Sequence, residues 1–195
     1  METSENLNRK KDLILGFERI FASQIGGAAL ERPVVSFWMV LIPILFLYFI
    51  YRMQKYKRGR VKFNEDFMIT RNRAMDLSVE AIQNGLKPDI NHVVGKSNLP
   101  DELAKPYGLW VRALVEYYTD LLAANGDRFE TLVRAAYRNR TNFLLVLNRL
   151  SGAEKEFYSA LKPQLAETEG AAAIIATIEE KARQLRRELA ERIFP

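Results

Sequence analysis

PVVSFWMVLIPILFLYFIY, residues 33–51, carries no charge and one serine, and its reading decides the architecture expected of the chain. A helix rises about 1.5 Å per residue, so roughly 20 residues cross a hydrocarbon layer about 30 Å thick. Trp38 stands toward one end and Tyr48 and Tyr51 at the other, as interfacial aromatics do. Pro43 falls mid-stretch, where its missing donor kinks a helix modestly; membrane helices tolerate this. Residues 32–51 therefore read as a transmembrane helix. Two readings compete with it: a re-entrant or monotopic hairpin turning at Pro43, and a buried core helix. A cleaved signal peptide fits poorly, because the apolar run starts after about thirty residues and no small-residue cleavage site follows it.

The flanks are unequal. Arg52, Lys55, Lys57, Arg58, Arg60 and Lys62 follow the apolar run before the first acid, Glu65. The positive-inside rule then places the C-terminal side in the cytoplasm. Arg9, Lys10 and Lys11 argue the other way but lie farther from the run. The basic segment, residues 52–63, also suits anionic headgroups, which makes membrane lipid an expected partner. So short a run has little room to grip a nucleic acid, a partner the sequence disfavours.

The rest of the chain has helical periodicity and no convincing strand alternation. Over residues 7–30, Leu13, Phe17, Ile20, Phe21, Ile25 and Ala28 recur at three- and four-residue steps, and Gly26-Gly27 reads as a flexible corner. Asn64, followed by Glu65 and Asp66, reads as the start of a helix that Asn84-Gly85 ends. Residues 85–108, with three prolines and three glycines, read as a long connection with one helical turn over 100–105. A helix over 109–124 follows. Asp127 with Glu130 reads as a capping box opening another helix, and Ser151 with Glu154 as a second box opening a short one that ends near Pro163. In the last helix Ile175, Ile178, Ala182, Leu185 and Leu189 have the spacing of a coiled-coil seam, flanked by i,i+4 pairs such as Glu179–Arg183. The seam serves either an interaction between chains or packing within its own bundle.

Composition narrows the chemistry. The 195 residues suffice for one compact domain and an anchor, and the net charge is +5. With no cysteine, disulfides, thiolate nucleophiles and zinc–thiolate sites are excluded. The single histidine, His92, stands three residues from Asp89, a pair too common to mark a metal site. No phosphate-binding loop, dinucleotide fingerprint or zinc-protease helix is present. Tyr117, Tyr118 and Tyr137 beside Arg134, Arg138 and Arg140 have the ingredients of a stacking surface for nucleic acid, although a bundle face uses the same residues.

The expected architecture is all-α: an amphipathic helix over 1–31, a transmembrane helix over 32–51, a basic segment over 52–63 and a cytoplasmic helical bundle over 64–195 with a longer C-terminal helix. The expected function is a non-enzymatic, single-pass accessory or scaffold subunit of a membrane complex, with no catalytic, cofactor or metal residues. Its expected partners are lipid, other protein subunits and possible further copies of itself. The alternatives are a peripheral binder of anionic lipid or nucleic acid, and an enzyme built on residues 85–108.

Overall fold

A computed structural model of the chain describes residues 4–30, 59–97, 99–166 and 171–195. Within these it is all-α, with seven helices: α1 (Ser4–Leu30), α2 (Gly59–Asn84), α3 (Ile90–Gly95), α4 (Asp101–Ala123), α5 (Phe129–Tyr137), α6 (Arg140–Leu161) and α7 (Ala171–Ile193). A 3-10 turn, Lys162–Leu165, extends α6.

The helices α1 and α2 form an antiparallel pair. Lys11 bonds Asp76 at 2.8 Å, Glu18 bonds Arg71 at 2.9 Å, and the Phe21 ring lies 6.3 Å from that of Phe67. Each step toward the C-terminus of α1 thus meets a step toward the N-terminus of α2. The register carries Leu30 and Gly59 to the same end of the bundle. The helix α1 also reaches α4, α5 and α7: Lys10 Nζ donates to the Leu122 carbonyl at 2.9 Å in the last turn of α4, and Phe17 stacks on Phe129 at 3.9 Å. A cation at that carbonyl is favoured by the helix dipole.

This packing overturns the single-pass architecture. One crossing between residues 30 and 59 would set α1 and α2 on opposite faces of a bilayer, about 30 Å apart. They are instead in side-chain contact along their lengths. Among the described residues no helix is long and apolar enough to cross a membrane. The 34–51 stretch, with Pro43, and the basic residues Arg52, Lys55, Lys57 and Arg58 lie outside the described residues, as do the side chains of Arg60 and Lys62. The single-pass topology, the cytoplasmic location inferred from the flanks and membrane lipid as partner lose their structural basis. So does the function as a membrane-anchored subunit of a membrane complex, and with it the alternative of a peripheral lipid or nucleic-acid binder on the basic run.

Several local elements differ from their sequence expectations. The helix α1 runs unbroken through Gly26-Gly27, both buried against the bundle. The helix α4 begins at Asp101, eight residues earlier than its apolar face suggests, and carries Pro106 in its second turn. There the missing donor frees only the carbonyl of exposed Glu102, which water can satisfy. The helix expected to open at Asp127 and run to the next box at Ser151 is broken between α5 and α6 by Arg138, which adopts φ 65°. The Asn139 side chain then caps α6 by accepting from the Asn142 amide at 2.9 Å. The break lets α6 turn back along α4.

The core is contiguous and rich in aromatic residues. Trp110 of α4 lies over Phe157 of α6 at 5.3 Å, with Tyr107 and Tyr158 around it. Tyr117, Tyr137 and Phe143 continue a stacked row.

Candidate functional site

The largest concentration of chemistry lies inside the bundle. Arg71 on α2 is 1% exposed, and its guanidinium is shared by two acids. Its Nε donates to Glu18 of α1 at 2.9 Å, Nη2 to Glu154 of α6 at 3.0 Å, and Nη1 to the Phe67 carbonyl at 3.3 Å. The second carboxylate oxygen of Glu154 pairs with Arg186 of α7 at 2.7 Å, and Arg186 Nη1 donates to Ser151 at 2.8 Å. Four formal charges, two of each sign, thus neutralise one another across four helices. The Arg71 guanidinium also lies 3.7 Å from the Phe67 ring centroid, a stacked cation–π contact.

Burial alone would lower the Arg71 pKa, but Glu18 and Glu154 reverse this and hold it above its ordinary value. Burial likewise pushes the Glu154 carboxyl up, yet Arg186 and Arg71 together outweigh it and keep the group below the usual carboxylate range. Burial, followed by the Glu18 charge, holds the Tyr117 and Tyr118 phenols well above their ordinary values. Tyr158 is raised by burial and then by Glu154. At neutral pH Arg71 and Glu154 are charged, and Tyr117, Tyr118 and Tyr158 are protonated phenols. A general base needs a pKa near the working pH, which Arg71, Glu154 and these phenols lack.

The quartet was not legible from the sequence. Ser151 and Glu154 carry a helix-start signature, yet both lie inside α6 and face α7 and α2. Arg71 and Glu154 are 83 positions apart. The available signal was weaker: Glu18, Arg71 and Glu154 each occupy a place on the apolar stripe of their helix.

The other singled-out residues are scattered. Ile175, Ile178, Ala182 and Leu189 are buried in the bundle and Leu185 is half-buried, so the seam of α7 faces its own domain. Tyr117, Tyr118 and Tyr137 are buried rather than displayed for stacking. Arg134 Nε donates to the Ile193 carbonyl at 3.0 Å, and Arg140 pairs with Glu191 at 2.8 Å. His92 is exposed on α3, where Asp89 accepts from its backbone amide as a helix cap. Among the described residues no group of three or more His, Asp or Glu side chains is placed to hold a metal.

Two surface depressions adjoin this interior. A shallow groove between α4, α5 and α6 is lined by Ala123, Ala135, Ala136 and Leu145, with Asp120 at its rim. Burial raises the Asp120 carboxyl, partly opposed by the Tyr137 hydroxyl. A more enclosed cleft of about 270 Å³ lies between α6 and α7. It is lined by Glu154, Tyr158 and Arg186, beside Lys155, Glu179 and Arg183. Buried charged groups border an open volume there.

Comparison with protein families, with curated proteins and with solved structures found no match to this chain.

Proposed function

We propose that the chain is a non-enzymatic helical binding domain whose ligand enters the cleft between α6 and α7. The observation that supports this reading is the saturation of the buried quartet. Arg71, Glu18, Glu154 and Arg186 are engaged with one another, so the chain's densest chemistry fixes helix positions. Preorganised polar groups on rigid helices, beside a small concave volume, suit binding without turnover.

The test is a screen of small polar compounds by thermal shift, followed by mapping of backbone amide resonances. A ligand that binds only the folded state raises the melting temperature in proportion to its concentration. The reading expects such a compound to perturb amides of α6 and α7 near Ser151, Tyr158 and Glu179 and to be recovered chemically intact. Conversion of a compound by the protein, abolished by a change at Lys155 or Glu179, would overturn it.

A further inference from the structure

We infer that Asn84, where α2 gives way to the segment leading to α3, is a site of spontaneous conversion to aspartate and isoaspartate, and that the fold spares the equivalent Asn125. This chemistry is independent of the binding role proposed above.

Ten glycines occur in the chain, and two of them, Gly85 and Gly126, follow an asparagine. In such a pair the glycine amide nitrogen, having lost its proton to a solvent base, attacks the asparagine side-chain carbonyl. A bond forms from that nitrogen to Cγ, the Cγ–Nδ2 bond breaks, and the side-chain amide leaves as ammonia after taking a proton from water. Water then opens the five-membered imide at either carbonyl. One opening gives aspartate; the other gives isoaspartate, whose main chain runs through Cβ and Cγ. Glycine favours the closure because it has no Cβ to crowd the attacking nitrogen. The step needs no oxidant, reductant or metal.

The two asparagines are alike in sequence and in exposure. Both are exposed, and neither side chain makes a hydrogen bond among the described residues. Their glycines differ. Ring closure turns the peptide plane between the two residues and swings the glycine with it. At Gly85, which has φ 64°, nothing lies within 4 Å of the place a Cβ would take. Leu86 and Lys87 beyond it are exposed and outside any helix. Asn84 is the last residue of α2, so its carbonyl has no partner within the helix, and turning that plane disturbs only the final turn.

Gly126 is clamped. A Cβ there would stand 2.6 Å from Thr131 Oγ1 and 2.8 Å from the Leu132 amide nitrogen. The same hydroxyl holds the next two residues, accepting from the Asp127 amide at 3.2 Å and the Arg128 amide at 3.0 Å. The Asn125–Gly126 plane therefore turns only if the start of α5 gives way. Conversion of Asn84 has a local cost of its own. It sets a carboxylate at the C-terminal end of α2, where the last turn carries no basic residue and the helix dipole disfavours negative charge.

The experiment is incubation of the full chain at mildly alkaline pH, where more of the glycine amide is deprotonated. Samples are digested at acidic pH, and the peptides holding residues 84 and 125 are quantified by mass spectrometry, with isoaspartate distinguished from aspartate by its fragment ions. A parallel incubation in guanidinium chloride removes the fold. In the native chain Asn84 is expected to convert at least about tenfold faster than Asn125, equivalent to about 1.4 kcal/mol in activation free energy, and in denaturant the two rates should agree within about threefold. Both aspartate and isoaspartate should appear at residue 84. Conversion of Asn125 as fast as Asn84 in the native chain, or the same ratio with and without denaturant, overturns the inference. So does an Asn84 that stays intact in the native chain while the unfolded chain converts. Aspartate without isoaspartate at residue 84 would mean direct hydrolysis and overturn the ring closure.

Discussion

Arg71 is the residue on which the interior depends. A buried cation is tolerated only when its donors are met, and here two carboxylates and a carbonyl meet them. Arg71→Met removes the charge and leaves Glu18 and Glu154 facing each other in the core. Breaking a buried pair from one side typically costs about 3–5 kcal/mol. Urea unfolding of this variant is therefore expected to show a loss of that size, larger than for removal of the exposed Arg149–Glu116 pair, where about 0–1 kcal/mol is usual. Glu154 sets the acid limb of stability. Its folded pKa lies below the ordinary 4.5, so the stabilisation it gives is present above that value and is lost as pH falls through the folded pKa. The stability gap between the native chain and Glu154→Gln should stay constant above about pH 5 and narrow below it. Asp120 has the opposite sign: its raised pKa means that its charged form is disfavoured by folding. Asp120→Asn should stabilise the protein at neutral pH, and the gain should vanish in acid. Melting curves across the pH range check both.

At the scale of elements, two junctions hold the helices where they are. Gly126 precedes α5 in a close approach: a Cβ there would stand 2.6 Å from Thr131 Oγ1 and 2.8 Å from the Leu132 amide nitrogen. The same hydroxyl accepts from the Arg128 amide at 3.0 Å, so it has little freedom to retreat. Gly126→Ala should destabilise by about 1–3 kcal/mol, the scale of local strain. Arg138 is the converse, a side-chain-bearing residue at φ 65°. Arg138→Gly relieves that strain and should raise stability by up to about 1 kcal/mol. Denaturant midpoints of the two variants should move in opposite directions.

These junctions also show which features a sequence can reveal. Stripe periodicity located α1, α2 and α7 as helices, but on α1 the buried face runs through Ile14, Glu18, Ala22 and Ile25, and Ile20 of the expected stripe is exposed. Asn139 sits just before α6 but lies inside a stretch that reads as continuous helix, so the break depended on Arg138, which has no turn preference. The Ser151–Glu154 pair had the form of a cap, but a cap is a local bond, and these side chains instead answer Arg186 and Arg71 from other helices. The cleft was hidden for the same reason: Lys155 and Glu179 line one volume only after α6 and α7 pack. Gly26-Gly27 misled because glycine weakens a helix by only about 1 kcal/mol each, which burial against the bundle overrides.

For the whole molecule, the decisive fact is that α1 belongs to the same body as α2 through α7. Reading along the chain, an apolar stretch of membrane-spanning length separates residues 4–30 from everything after residue 59. Periodicity gave no sign that the two sides pair, since antiparallel contact between α1 and α2 is a tertiary property. The Glu18–Arg71–Glu154–Arg186 network joins α1 to α2, α6 and α7 through one neutral cluster, and this connection excludes a single crossing between its members. The chain has no native cysteine, so single introduced cysteines report their own positions without background. The most direct measurement is labelling of Ser23→Cys on α1 and Glu156→Cys on α6, both exposed, with a membrane-impermeant maleimide in intact and in opened cells expressing the full chain. The two sites are predicted to behave alike, both labelled or both protected until the cells are opened. Labelling of one in intact cells while the other requires opening would place α1 and α6 on opposite sides of a membrane and contradict the fold.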